Sequence, residues 1–149
     1  MSMAERDYSH RDIVDKLGIK PGHVVAFDEE AWPIDADLRR RVVERTGLAV
    51  TSPKAQVPFQ DEAVDIALVT TDDVTDAVTV LRQWRARLDR AGGIWLLTRK
   101  RGQPGCVDQR ELIAAGVTAG LVDNKSCSVS DTVSAMRFVI RKDDRGKPE

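Results

Sequence analysis

The sequence predicts an α/β fold, a three-layer and doubly wound sheet that is mainly parallel and ends in an antiparallel strand pair. Short apolar runs at 23–27, 64–70 and 94–97 are typical of buried strands, and segments with helical spacing alternate with them. This alternation predicts right-handed crossovers and a parallel sheet covered on both faces. The last two strands, 120–127 and 133–141, are joined by too short a link for a crossover, so they should pair antiparallel.

Helices in the first half of the chain are predicted from capping residues and apolar spacing. They cover about 9–17, 35–46 and 74–88. Gly18 and Gly47 follow the first two as C-terminal stops. Between the second helix and the 64–70 strand, residues 48–51 are predicted as a brief strand and 52–61 as a loop with two prolines.

The second half of the chain gives one turn and one further helix. Residues 91–93 (Ala-Gly-Gly) predict a turn before the 94–97 strand. A helix is predicted to open at Asp108, to turn Leu112 and Ile113 inward, and to stop at Gly116.

Length and charge limit the classes of protein. The 149 residues suffice for one domain, predicted at 9–142, with flexible tails at 1–8 and 143–149. Lys plus Arg number 23 and Asp plus Glu 24, a net charge of -1 that argues against a nucleic-acid partner. Two cysteines cannot build a disulfide framework, and no apolar stretch suits a membrane span or a signal peptide. The expectation is a cytoplasmic protein without a membrane partner.

Three segments resemble class I S-adenosylmethionine-dependent methyltransferases. Residues 17–22 (LGIKPG) resemble the approach to their first strand, 64–69 (VDIALV) their fourth strand, and 88–95 (LDRAGGIW) the turn before their fifth. Over nearly its whole length the chain resembles an uncharacterised actinobacterial family, the domain of unknown function DUF3052, through 8–12, 17–22 and 120–139. The resemblance implies a methyltransferase-like Rossmann variant and assigns no activity.

The segment after the first strand departs from the methyltransferase pattern. Their first strand runs into a glycine-rich loop, where missing side chains let a cofactor approach backbone amides. Residues 28–33 (DEEAWP) have no glycine, three carboxylates and an indole, and Pro33 lacks an amide donor. The sequence therefore predicts a degenerate cofactor site and no cofactor. The compact link before the 64–70 strand also predicts that one strand–helix unit of the full fold is missing.

A candidate ligand site is predicted where the strand order reverses, between the first strand and the 64–70 strand. Its predicted lining is Phe27, Asp28, Glu29, Trp32, Thr70, Thr71 and Asp72. Carboxylates there would repel phosphates and favour an amine or a divalent metal. Alternatively, they are solvated acids that stabilise helix starts. Trp32 either stacks on a ligand ring or packs at the rim of the core.

A basic cluster and two cysteines are the other candidates. Arg99, Lys100 and Arg101 either clamp an anion or an acidic partner, or form a solvated loop. Cys106 and Cys127 are interpreted as idle thiols rather than a redox pair. If the 120–127 strand lies at the sheet edge, a homodimer through it is possible.

Two functions remain open at this point. The favoured one is a non-catalytic binding or regulatory module with a degenerate cofactor site and an unknown protein or small-molecule partner. The alternative is a small enzyme or ligand-binding protein in which Asp28, Glu29 or Asp72 serves as metal ligand or general base. No hydrolase elbow, phosphate loop or zinc motif is present, so no catalytic residue or metal site is assigned.

Overall fold

The computed structural model describes residues 13–47 and 63–144, which form a five-stranded sheet with helices on both faces. The strands are β1 (Val25–Asp28), β2 (Val64–Thr70), β3 (Leu88–Arg99), β4 (Leu121–Ser128) and β5 (Val133–Ile140). Their order is β1-β2-β3-β5-β4. The first three are parallel, and β5 is antiparallel to both β3 and β4. The predicted fold class is confirmed, and β4 is an edge strand.

Within residues 13–47 and 63–144, four helices cover the two faces of this sheet. They are α1 (Ile13–Lys16), α2 (Ala36–Thr46), α3 (Val74–Arg85) and α4 (Gln109–Thr118), and a 3-10 turn follows at Lys142–Asp144. The first two pack on one face around Phe27 and Trp95, and the other two pack on the opposite face around Leu81 and Phe138. The helices therefore change faces between β1 and β2, the position predicted for the site.

Two glycines predicted to form a turn instead lie inside a strand. β3 spans Leu88–Arg99, with a register shift against β2 between Leu88 and Gly93, so Leu88 belongs to the strand and not to the preceding helix. A Cβ on Gly92 would lie 2.6 Å from the carbonyl oxygen of Asp65 in the neighbouring strand, and one on Gly93 would meet the movable Arg137 guanidinium. Gly92 in particular needs to be glycine, because the neighbouring backbone approaches closely.

The fourth helix also corrects the prediction. Gly116 lies in its interior and is buried against the Phe138 ring, and the helix ends only after Thr118, where Gly120 has a φ of 87°. Ile113, predicted to face inward, is 36% exposed. Helical spacing alone did not distinguish the buried Leu112 from the exposed Ile113, which follows it directly.

Several predictions fall outside the described ranges. They are the tail at 1–8, the capping box at 9–12, the strand at 48–51, the loop at 52–61 and residues 145–149 of the C-terminal tail. The missing strand–helix unit would fall in the same internal stretch. Among the helices that the structure does describe, none combines the length and apolarity needed to cross a membrane.

Candidate functional site

The loop after β1 is fastened across the end of β2 by Trp32. The backbone N–H of Trp32 donates to the Thr70 hydroxyl at 3.3 Å, and that hydroxyl donates to the Trp32 carbonyl at 2.8 Å. The indole Nε1–H donates to the Thr71 carbonyl at 3.1 Å. Thr70 and Thr71 are buried, so the half-buried indole is held by groups with little freedom to move.

Backbone amides of this loop and of the first turn of α2 are taken by the protein's own side chains. Glu29 Oε1 accepts the Ile34 amide at 2.8 Å. Asp35 caps α2, and its Oδ2 accepts the amides of Asp37 and Leu38. In nucleotide-binding folds these amides and the helix dipole hold the anionic part of a ligand. Here two carboxylates occupy that position.

Asp28 is the last residue of β1 rather than the first of the loop, and it is 6% exposed. Its Oδ2 accepts the Trp84 indole N–H at 2.9 Å, and its Oδ1 accepts the Glu30 amide at 3.3 Å. The carboxylate therefore ties α3 to the end of β1. Trp84 is 3% exposed and supplies this link.

A cleft of about 620 Å³ opens beside this link, on the face covered by α3. Its lining contains four acids, three threonines and one arginine among other groups: Asp28, Glu30, Asp72, Asp76, Thr70, Thr71, Thr79 and Arg87. We call it the acidic cleft. It contains Asp28, Thr70, Thr71 and Asp72 of the predicted lining, whereas Trp32 faces elsewhere and Phe27 is fully buried.

Glu29, the remaining acid of the predicted site, turns towards α2. Its Oε2 lies 3.6 Å from Arg39 Nε, and the Arg39 guanidinium lies 5.4 Å from the centre of the Phe27 ring. Arg39 lies on α2 and its side chain is 42% exposed. It neutralises Glu29, so that carboxylate is not directed at a cleft.

The three residues of the basic cluster are placed in three different ways. The Arg99 guanidinium lies 4.1 Å from the centre of the Trp32 ring, a cation–π contact. The Lys100 ammonium donates to the Ser128 hydroxyl at 2.7 Å, and the Lys100 backbone amide donates to the Thr132 carbonyl. Arg101 is exposed. The predicted cluster is therefore divided, and only Arg99 reaches the loop after β1.

A second cleft, of about 870 Å³, opens on the face covered by α1 and α2. Arg99 pairs with Val133 in the β3–β5 register, which brings the turn between β4 and β5 to the same edge as the loop after β1. Trp32 and Arg99 lie on its wall, and Pro33 and Val129 supply accessible apolar surface, whereas Leu38 and Leu97 are almost fully covered. We call it the Arg99 cleft.

The remaining candidates are thiols, imidazoles and metal ligands. Cys106 is exposed and Cys127 is half-buried, and both are free thiols. Burial raises the pKa of Cys127, with partial opposition from Lys16 and Lys125. His23 Nδ1 accepts the Lys20 amide. Within residues 13–47 and 63–144, no three acids, cysteines or histidines are grouped so as to hold a metal ion.

Sequence reasoning missed the relations that join distant elements. The Arg99–Trp32 stack and the link from Trp84 to Asp28 span 67 and 56 residues of the chain. No local signal predicts them, since they depend on strand order. The approach of the turn between β4 and β5 to the loop after β1 had no local signal either.

The fold is similar to that of several solved methyltransferases and related proteins. The mitomycin 7-O-methyltransferase MmcR has a TM-score of 0.61 and 14% identity, covering 93% of this chain and 56% of that enzyme. The pyocyanin biosynthetic protein PhzM has a TM-score of 0.62 and 11% identity, covering 94% and 56%. The Synechocystis PCC 6803 magnesium protoporphyrin IX methyltransferase ChlM has 0.56 and 9%, covering 93% and 79%. The chain thus spans just over half of the first two, and these identities show the fold alone.

Sequence relatives are mycobacterial. Uncharacterised proteins of Mycobacterium tuberculosis (strain ATCC 25618 / H37Rv) and Mycobacterium bovis are 32% identical over 136 residues, 89% of this chain and 80% of each relative. The family profile DUF3052, described as a protein of unknown function, matches residues 14–142. The protein therefore belongs to the DUF3052 family, which the sequence resemblance had indicated.

Proposed function

We propose that the protein is a non-catalytic binding or regulatory module on a methyltransferase-like fold, with its own loop in the place of the cofactor. The observation that supports this proposal most directly is the fastening of Trp32 to Thr70 and Thr71 by three hydrogen bonds. An S-adenosyl ligand would have to displace these bonds before it reached the end of β2.

The residues present do not fit the S-adenosyl group that the fold implies. The amides of Glu30, Trp32 and Ile34 already donate to side chains of the protein. Pro33 has no amide to offer. A ligand carboxylate near the start of α2 would also meet the charges of Glu29 and Asp35 in place of free donors. The amide donors that a cofactor would need therefore already have partners within the protein, and the charge near the start of α2 is negative.

Titration with S-adenosylhomocysteine and S-adenosylmethionine tests the proposal. A ligand at a hundredfold excess over its Kd stabilises a protein by about 2.7 kcal/mol. In a chain of this size that free energy raises the melting temperature by about 5–11 °C. We expect no rise with either compound and no calorimetric heat of binding.

Indole N–H signals in heteronuclear NMR locate any ligand that does bind. The three indoles have different acceptors: Thr71 O for Trp32, Asp28 Oδ2 for Trp84 and Leu17 O for Trp95. A saturable shift of the Trp32 or Trp84 signal on addition of S-adenosylhomocysteine would contradict the proposal. Trp95 is fully buried near α1 and serves as the internal control.

A second candidate is a ligand-binding protein or enzyme that uses the acidic cleft, and the four carboxylates of its lining favour it. They suit an organic cation better than a bare metal, since Asp28 already accepts two hydrogen bonds. Calorimetric titration with putrescine and with Mg²⁺ tests this candidate. Binding that shifts the Trp84 indole and weakens in Asp72→Asn would support it, whereas no heat with either would remove it.

A further inference from the structure

The Arg99 cleft combines an apolar wall with a polar rim. Trp32 and Val129 are half-buried, Pro33 is exposed, and all three line the cleft, whereas Leu38 and Leu97 are at most 5% exposed and offer it almost no surface. Ser130 and Thr132, in the turn between β4 and β5, also line the cleft. Its volume of about 870 Å³ lies within the range for small-molecule sites. A ligand there can bury an apolar body and leave a polar group at the rim.

The acids around this cleft are already engaged or exposed. Asp35 caps α2, and Asp37 pairs with Arg40 and Arg41, whose hydrogen bonds lower the pKa of its carboxyl. Asp131, the remaining acid of the lining, is exposed on the turn between β4 and β5, where water screens its charge.

Two cations that line the cleft, unlike Asp35 and Asp37, are not paired with another of the described residues. The Arg99 guanidinium and the Lys16 ammonium make no hydrogen bond or ion pair with another residue in 13–47 or 63–144. Arg99 is half-buried, and its flat face is covered by the Trp32 ring. Stacking leaves the in-plane N–H groups of a guanidinium free to donate. The cleft therefore offers an oriented positive fork beside apolar surface.

We infer that the Arg99 cleft binds a small organic acid, with its carboxylate on the edge of the Arg99 guanidinium and its apolar body against Pro33 and Val129. The inference rests on the proposed function, because it supplies the ligand class of a binding module. A carboxylate matches the two parallel donors of a guanidinium. Prior stacking on Trp32 reduces the side-chain entropy that binding would otherwise cost.

Phenylbutyrate is a suitable probe, and phenylbutyramide is its neutral match. With the full chain, we expect phenylbutyrate to shift the Trp32 indole signal and to leave those of Trp84 and Trp95 in place. Because a hydrogen bond between charged partners contributes more than a neutral one, the amide should bind at least about tenfold more weakly. Equal affinities, or no Trp32 shift with millimolar phenylbutyrate, would overturn the inference.

Variants of the basic cluster separate Arg99 from its neighbours. Arg99→Gln should weaken phenylbutyrate binding about tenfold or more, and Arg99→Lys, which keeps the charge without the fork, should give an intermediate loss. Arg101→Gln is the matched control, because Arg101 is exposed and does not line the cleft. If Arg101→Gln lost as much affinity for phenylbutyrate as Arg99→Gln, the loss would reflect the net charge of the protein, and the proposed site would be refuted.

Failure of this inference is distinguishable from failure of the proposed function. If neither phenylbutyrate nor S-adenosylhomocysteine binds, the organic-acid site is refuted and the displaced cofactor site stands. If S-adenosylhomocysteine shifts the Trp32 or Trp84 indole, the proposed function is refuted, whatever phenylbutyrate does. Inorganic phosphate that competes fully with phenylbutyrate would contradict the need for an apolar body.

Discussion

Replacing Thr70 by valine tests whether the loop after β1 is held down as the structure indicates. Valine keeps the shape and the strand propensity of threonine but lacks the hydroxyl. That hydroxyl is both donor and acceptor for the backbone of Trp32, at 2.8 and 3.3 Å. Thr70 is 4% exposed, so in the variant no side-chain group replaces these two bonds.

The expected loss of stability follows from the two bonds. Each contributes about 1 kcal/mol, so Thr70→Val should lower the free energy of unfolding by about 2 kcal/mol. In a chain of 149 residues this corresponds to a fall in melting temperature of about 4–8 °C. The indole bond to the Thr71 carbonyl remains in place, so the loop should loosen at its backbone while Trp32 stays attached.

Urea denaturation and amide hydrogen exchange measure the two effects separately. We expect a lower denaturation midpoint and faster exchange of the Trp32 amide. Thr79→Val is the control, since Thr79 is exposed on α3, and valine and threonine have similar helix propensities. If Thr70→Val stays within about 0.5 kcal/mol of the wild type, with Trp32 exchange unchanged, the clamp makes no contribution and the argument fails.

Two further changes have outcomes set by packing and burial. Gly116→Ala should lower the free energy of unfolding by about 1–2 kcal/mol, because the new Cβ would press on the buried Phe138 ring. This loss is expected although alanine has the higher helix propensity. Ala114→Gly, an exposed change in the same helix, measures the effect of helix propensity alone. Urea curves that show Gly116→Ala to be stabilising would refute the packing. At pH 8, iodoacetamide should modify exposed Cys106 faster than Cys127, because burial raises the Cys127 pKa and lowers its thiolate fraction; equal rates by peptide mass spectrometry would contradict this.

Local chemistry explains why much of the fold could be predicted. Asp73 and Asp108 cap the helices that follow them, because a short carboxylate next to a helical pattern satisfies free amides. Gly47 ends α2 with a φ of 76° for an equally local reason. The antiparallel pairing of the last two strands follows from the length of their link alone.

Glycine in the middle of a segment was predicted less well, because its role depends on distant atoms. Gly92 occupies a strand position at which the carbonyl of Asp65 leaves no room for a Cβ. Gly116 occupies a helix position at which the Phe138 ring leaves none. Neither partner is near in sequence. A local pattern cannot distinguish a glycine that turns the chain from one that admits a neighbour.

The candidate site shows the same division between local and distant information. The composition of 28–33 predicts a poor cofactor cradle, and in the structure the amides of Glu30, Trp32 and Ile34 donate to the protein's own side chains. The loop's own partners could not be predicted, because Thr70 follows Trp32 by 38 residues. The Arg99–Trp32 stack required the position of β3 relative to β1, which only the sheet order provides.

A chain of contacts links the end of β2 to the Arg99 cleft. Thr70 holds the Trp32 backbone, and the Trp32 ring in turn lies beneath the Arg99 guanidinium. The indole bond to the Thr71 carbonyl remains in Thr70→Val, but a looser backbone should let the Trp32 ring move beneath Arg99. Thr70→Val should therefore weaken phenylbutyrate binding as well as stability, although Thr70 does not line that cleft. Thr79→Val should change neither. If Thr70→Val lost stability while its affinity for phenylbutyrate stayed unchanged, the loop after β1 would have no part in organising the Arg99 cleft.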